Sequence, residues 1–223
     1  MTLLDFLFPR RCLGCGQWGK YFCQNCLKKI KPTEKQICPV CEKPAISGKT
    51  HARCQRKCSL DGLTSIFLYE NAIKEAITKL KYKFVTDLGK ELINLAASRL
   101  PTQIHNAPIL IPVPLHPRRQ RWRGFNQAEL LGRMLGEKLD WQVQADILLR
   151  HRHTKPQTEL KGKERKENIK GAFRIKKNSK FVIPNSRFII FDDVWTTGST
   201  LRECGSVLRR AKAKQVWGLT LAR

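Results

Sequence analysis

Near the C-terminus, Arg187-Phe188-Ile189-Ile190-Phe191-Asp192-Asp193-Val194-Trp195-Thr196-Thr197-Gly198-Ser199-Thr200 constrains the fold more tightly than any other stretch of the chain. An apolar run of strand length ends in two carboxylates, a loop of small hydroxyl residues and glycine follows, and then a helical pattern begins. The order predicts a buried strand, a loop and a helix N-terminus in direct succession. Successive amides from Thr196 through Thr197, Gly198 and Ser199 to Thr200 at a helix start form an anion cradle, with hydroxyls as further donors and Gly198 allowing close approach. Asp192 and Asp193 repel a phosphate, but as acceptors they suit the two hydroxyls of a ribose. Together these features describe a ribose 5-phosphate. An acidic strand end before a capped helix also occurs in many α/β proteins for no functional reason. The succession of strand, acid pair and loop favours the phosphate, and neither a Walker loop nor a dinucleotide glycine pattern competes with it.

Four apolar residues, two acids and Thr-Thr-Gly-x-Thr resemble the phosphoribosyl pyrophosphate (PRPP) signature of type I phosphoribosyltransferases. The resemblance implies an α/β fold, a type I phosphoribosyltransferase-like, mainly parallel sheet flanked by helices. It also implies that Asp192, Asp193, Thr196, Thr197, Gly198, Ser199 and Thr200 bind PRPP. Trp195 stands at a variable place in that signature, where packing and stacking on a ligand are both open.

Eight of the nine cysteines precede residue 59, as Cys12-x2-Cys15, Cys23-x2-Cys26, Cys38-x2-Cys41 and Cys54-x3-Cys58. Pairs of thiolates from such turns reach one metal together, and four pairs predict two structural zinc ions. The pairing in chain order puts Cys12, Cys15, Cys23 and Cys26 on one ion and Cys38, Cys41, Cys54 and Cys58 on the other; it needs the shorter loops, and an interleaved pairing stays open. His51 could replace a sulfur in the second site, but a loop histidine near a metal is more often exposed or outside the ligand set. This region has few apolar residues, so metal supplies its folding energy. It is expected to form a small zinc-ribbon domain over residues 1–60, with residues 61–223 forming the phosphoribosyltransferase-like domain. Residues 1–60 carry 12 Lys/Arg and 3 Asp/Glu. Thiolates and zinc reduce that positive charge without cancelling it. Zinc ribbons bind nucleic acid in some proteins and only brace neighbouring domains in others.

From Leu63 to Tyr69 the pattern predicts a strand, then a helix with Ile73, Ile77 and Leu80 inward that ends near Lys81, a lysine expected in solvent. A second helix is expected from Asp87 to Arg99. Pro108 to Pro114 reads as a short buried strand entering a proline-rigid turn, followed by an arginine loop with Arg118, Arg119, Arg121 and Arg123 in six positions. Arginine forks grip phosphate oxygens in pairs, and a loop after a parallel strand lies where α/β sheets hold ligands. This suits a pyrophosphate leaving group. Trp122 and Phe125 among the arginines also suit base stacking. An amphipathic helix from Asn126 to Leu139 follows, Cys204 is expected as a small buried side chain of the last helix, and Val216 to Leu221 is expected as the closing strand.

Pro112-Val113-Pro114-Leu115-His116, Arg123-Gly124-Phe125-Asn126-Gln127, Thr154 with Gln157 and Leu160, Arg165-x2-Asn168 and Gly171-Ala172-Phe173 resemble the ComF/GntX competence family. With the four cysteine pairs and the terminal Asp-Asp loop, the resemblance covers nearly the whole chain. It implies that residues 150–165 form the flexible loop that closes over PRPP, with His151 and His153 as candidate proton donors. It also implies natural transformation, with single-stranded DNA and other proteins of the DNA-uptake machinery as partners. The net charge of +25 suits a polyanionic partner. In an active enzyme, Mg²⁺ would accompany PRPP, Asp192 and Asp193 would hold the ribose, and Arg123 would help draw off pyrophosphate; these three are the catalytic candidates. A transferase of base or nucleotide salvage with no DNA role is the competing function. The acceptor carries no shared motif. No apolar run reaches the length of a membrane span, and Met1 to Phe8 lacks a signal peptide's basic start and cleavage site. A cytoplasmic location is expected, where thiols stay reduced.

Overall fold

The computed structural model describes residues 10–82, 85–101, 104, 109–152, 167–176 and 184–223. Met1 to Phe8 and most of the 150–165 loop, His153 included, lie outside these residues. Seven strands are described: β1 (Gly62–Phe67), β2 (Ile109–Pro112), β3 (Gln142–Val143), β4 (Leu148–Arg150), β5 (Phe173–Ile175), β6 (Arg187–Val194) and β7 (Gln215–Ala222). Five of them form a parallel sheet in the order β1-β7-β6-β2-β3, and β4 pairs with β5 in a separate antiparallel ribbon.

β6 lies at the centre because Phe188 to Phe191 are apolar on both faces of the pleat, and a parallel strand must be covered on both. Its side chains alternate between two clusters. Ile189 and Phe191 meet Ile77, Leu80, Leu92, Leu131 and Leu135, which come from α2 (Asn71–Tyr82), α3 (Thr86–Ala97) and α5 (Gln127–Leu139). Phe188 and Ile190 face Leu201, Cys204 and Leu208 of α6 (Ser199–Arg210), with Leu148 and Phe173 of the ribbon. Truncating one such fully buried leucine to alanine costs about 2–5 kcal/mol.

The arginine segment is a helix, not the loop expected from its sequence: α4 runs from Pro117 to Arg123. It has no apolar stripe, and its ends define it. Pro117 starts it at N1, His116 Nδ1 accepts the Arg118 amide at 3.2 Å, and Gly124 closes it in the left-handed region.

The cysteine-rich segment packs directly on the sheet. A short α-helix, α1 (Gln24–Leu27), precedes Ile30, and Tyr21, Phe22 and Ile30 share a cluster with Ala72 and Ile73 of α2. β1 is an edge strand, and unpaired edge amides invite intermolecular pairing. Residues of the cysteine-rich segment cover that edge. Pro32 and Lys49 make antiparallel bridges to Phe67 and Gly62, and the Thr33 amide donates to the Ile66 carbonyl at 2.8 Å. Gln36 acts as a surrogate strand: its Nε2 donates to the Ser65 carbonyl and its Oε1 accepts the Ser65 amide, both at 2.9 Å. A Cβ on Gly48 would lie 1.8 Å from the Leu63 carbonyl, so the approach here requires glycine.

Candidate functional site

The two-residue pleat sends the adjacent aspartates to opposite sides of the sheet. Asp192 continues the face of Phe188 and Ile190, near Cys204 and Arg150, whereas Asp193 continues the face of Ile189 and Phe191 and meets α2. Lys81, expected in solvent, instead lies 3.1 Å from Asp193 Oδ2 with its side chain 28% exposed. Burial alone lowers the Lys81 ammonium, but the charges of Asp193 and Tyr69 and the Asp193 hydrogen bond outweigh it and hold the pKa above its usual value. The Asp192 carboxyl is pushed up to about 8, first by burial and then by the charge of Asp193, against the Asp193 amide it accepts at 2.9 Å and the charges of Lys81 and Arg150.

Where β6 ends, both aspartates border a crevice of about 150 Å³ together with Lys81, Thr196, Gly198, Ser199 and Thr200. The loop enters α6 through Gly198, whose φ of 65° is left-handed; a Cβ there would meet the Trp195 ring at 2.1 Å. Trp195 is 4% exposed and packs beneath the loop as its floor. Thr197 Oγ1 and Ser199 Oγ lie 2.9 Å apart. Among the described residues, the amides of Thr196, Thr197, Gly198 and Ser199 have no hydrogen-bond acceptor. Unpaired amides at a helix start beside a crevice are the arrangement that receives an anion.

Two basic side chains that the sequence reading did not assign to the site belong to its surroundings. Arg150, at the end of β4, is 5% exposed, with its guanidinium 5.4 Å from the Phe173 ring centre. Burial and the neighbouring charge of Arg119 lower its pKa to about 10, and it acts electrostatically on Asp192. Arg202, in the first turn of α6, donates Nη1 to the Thr197 carbonyl at 2.7 Å and stacks 5.0 Å from Trp195. The α4 residues Arg118, Arg119, Arg121 and Arg123 do not line the crevice, and Arg118, Arg121 and Trp122 face solvent. His151 is exposed and donates its amide to the Ala172 carbonyl.

Two metal centres are also assembled. The ligand atoms of Cys12, Cys15, Cys23 and Cys26 lie within 4.8 Å of one another, and those of Cys38, Cys41, His51 and Cys54 do likewise. The first group keeps the chain-order set. The second corrects it: His51 stands where the sequence assigned Cys58. His51-x2-Cys54 repeats the knuckle spacing, and its turn is closed by the Cys54 amide donating to the His51 carbonyl at 2.8 Å. Cys58 Sγ does not join this group. His51 Nδ1 lies 3.4 Å from Cys41 Sγ, while Nε2 meets the Pro44 carbonyl at 3.0 Å, the outer hydrogen bond that orients a ligand imidazole. Burial opposes ionisation of Cys12, yet the amides of Cys23, Gly14 and Cys15 outweigh it and lower the pKa to about 6. Hydrogen bonds that the Cys26 thiol donates to Cys12 and Cys23 push Cys26 up to about 12. Thiols this close ionise together only around a cation, and both donor sets fit structural zinc. Cys58→Ala is therefore expected to keep two zinc ions per chain by elemental analysis, and His51→Ala to weaken the second centre more than about tenfold. The reverse pattern would restore Cys58 as a ligand.

Residues 3–58 match the family described as the double zinc ribbon domain. A DNA utilization protein, YhgH, of Escherichia coli is 33% identical over 220 residues, 93% of this chain and 92% of that protein. Competence protein F of Haemophilus influenzae is 34% identical over 218 residues, covering 95% and 84%. Competence protein ComFC of Bacillus subtilis is 30% identical over 221 residues, covering 90% and 83%. Among solved structures, a hypoxanthine phosphoribosyltransferase from Staphylococcus aureus aligns at a TM-score of 0.36 and 14% identity, covering 59% of this chain and 61% of that one. The allosteric regulatory enzyme of purine biosynthesis aligns at 0.38 and 18%, covering 67% and 26%. These two likenesses are weak, and the fold assignment rests on the strand order and the strand-loop-helix unit. Full-length relatedness to the competence and DNA utilization proteins, with the matched double ribbon, shows that the chain belongs to the ComF/GntX family of competence-associated, phosphoribosyltransferase-like proteins.

Proposed function

We propose that the chain binds PRPP with Mg²⁺ in the crevice at the end of β6 and acts with single-stranded DNA in DNA uptake or utilization, in a cytoplasmic setting. The observation that carries this reading is the row of unpaired amides from Thr196 to Ser199 beside Asp192 and Asp193. Those amides and the flanking hydroxyls hold the 5-phosphate, and the aspartates accept the ribose hydroxyls. Lys81 pairs with Asp193 in the free protein and can release it to a ribose hydroxyl while turning to the phosphate. The carboxylates are also the donors that would hold Mg²⁺, which supplies charge neutralisation at the pyrophosphate when bound. If pyrophosphate leaves, Arg119 and Arg123, the half-buried arginines of α4, are best placed to receive it.

The DNA half rests on the relatives' printed roles in competence and DNA utilization and on the +25 charge. Exposed Trp122 between Arg121 and Arg123 offers a base-stacking surface in a basic setting. Among the described residues no helix is long and apolar enough to cross a membrane.

The test is calorimetric titration of the full chain with PRPP and Mg²⁺, alongside binding of a labelled single-stranded oligonucleotide at two salt concentrations. Saturable heat at one site per chain and DNA affinity falling more than about tenfold from 50 to 200 mM salt are expected. Absence of heat would remove the PRPP assignment, and a flat salt response would remove the electrostatic one. Pyrophosphate release with a free base but no effect of DNA would favour the salvage transferase instead.

A further inference from the structure

Arg202 does not line the crevice, yet its side chain makes three hydrogen bonds beside the loop. While Nη1 donates to the Thr197 carbonyl, Nε donates to the Pro39 carbonyl and Nη2 to Glu42 Oε1 at 2.6 Å. Pro39 lies between the ligands Cys38 and Cys41, and Glu42 follows Cys41 with its amide donating to the Cys38 carbonyl at 2.9 Å. One planar cation thus holds the second metal knuckle with two of its nitrogens and the anion loop with the third. The flat fork suits this use, because its donors point in fixed directions that a lysine could not match. The guanidinium also covers the Trp195 ring, the floor against which Gly198 packs. Arg202 is 25% exposed, so its bonds are partly shielded from water.

The two ends of this bridge differ in what keeps them in shape. α6 is fixed by its apolar face against the sheet. The Cys38–Glu42 turn buries only Cys38 and Pro39 and depends on its metal for a defined conformation. We propose that Arg202 is a positioning residue that couples occupancy of the Cys38, Cys41, His51 and Cys54 centre to the geometry of the Thr196–Thr200 loop. With metal bound, Pro39 and Glu42 aim the guanidinium at the Thr197 carbonyl and the loop is held ready for a phosphate. Without it the guanidinium loses two of its three fixed acceptors, and the loop amides open to water. Coupling is reciprocal, so a phosphate ester on the loop retains the second metal by the same factor. The regulation rests on the phosphate reading of the loop, but the mechanical link does not.

The test follows hydrogen exchange where the loop enters α6 in full-length protein, with zinc content measured in parallel. The comparison is wild type, Arg202→Gln, His51→Ala and the double variant. Arg202→Gln is expected to keep two zinc ions, to exchange the residue-202 amide, which donates to the Gly198 carbonyl of the loop at 2.9 Å, at least tenfold faster, and to leave β6 and β7 protected. His51→Ala should give the same loop acceleration, and the double variant less than twofold more than either single one. Unchanged loop exchange in Arg202→Gln, or effects that multiply in the double variant, would overturn the coupling. Should Arg202→Gln fail to fold, Glu42→Gln, whose side chain is 48% exposed, replaces it and is expected to accelerate the loop alone. Titration with PRPP should show at least tenfold weaker binding in Arg202→Gln. If wild type takes no PRPP, the ligand assignment fails while the exchange comparison still decides the link.

Discussion

Asp192→Asn together with Asp193→Asn is expected to weaken PRPP binding by at least about 100-fold while leaving affinity for single-stranded DNA within about twofold of wild type. At pH 8.5, above the folded pKa of Asp192, each carboxylate accepts a charge-assisted bond worth about 1.5–3 kcal/mol, and about 1.4 kcal/mol is a factor of ten. The substitutions keep size and shape, so lost affinity reports lost charge. Calorimetry and oligonucleotide anisotropy on one preparation check it; equal loss of both ligands would contradict separate sites. Stability should change in the other direction. The folded pKa of Asp192 is about 8, above its ordinary value of 3.8. Its contribution to stability is therefore fully present below pH 3.8 and is lost as pH rises through about 8, because the unfolded chain ionises first. The single variant Asp192→Asn has no such loss. Its thermal midpoint should gain on wild type across that window, with the largest gap at pH 8.5. A gap that does not widen with rising pH would show that the folded carboxyl is not raised above its ordinary value.

Removing the first metal should have the largest effect on the fold. Cys12→Ser with Cys26→Ser, or exhaustive chelation, is expected to lower the thermal midpoint by more than about 10 °C and to expose tryptophan and hydrophobic surface. Structural zinc contributes about 10–16 kcal/mol of folding free energy, against a net stability of roughly 5–15 kcal/mol for a whole domain. Phe22 is 1% exposed and Tyr21 and Ile30 nearly as buried, and all three lie in one cluster with Ala72 and Ile73 of α2. Loss of the knuckles thus uncovers α2, the helix that carries Lys81. Calorimetric unfolding with and without chelator checks the effect. An unchanged midpoint would mean that the cysteine segment folds on its apolar contacts alone.

Much of the fold was legible in the sequence because its main elements have strong periods. Phe188 to Phe191 could only be a central strand, and the spacing of Ile73, Ile77 and Leu80 placed α2 with Leu80 in the core. What escaped has physical causes. α4 has no apolar face to detect, and its proline, histidine cap and glycine lie only at its ends. β4 and β5 are three residues each, too short for an alternation to reveal that they pair apart from the main sheet. Lys81 reaches Asp193 only because α2 packs against the face to which Asp193 turns. The His51-x2-Cys54 spacing was visible but was outweighed by the habit of pairing cysteine with cysteine. Arg202 looked like one more basic residue on a helix, since Glu42 lies 160 residues away in the chain.

The sealed edge of β1 also bears on how the chain is made. Among the described residues its one neighbour in the sheet is β7, and 155 residues separate Ser65 from Thr220, whose hydroxyls meet at 2.8 Å. During synthesis β1 therefore emerges long before the strand it will pair with. The segment bearing Pro32, Gln36 and Lys49 has left the ribosome by then, so once its metals are bound one flank of the unfinished strand is already occupied, and only the other waits for β7.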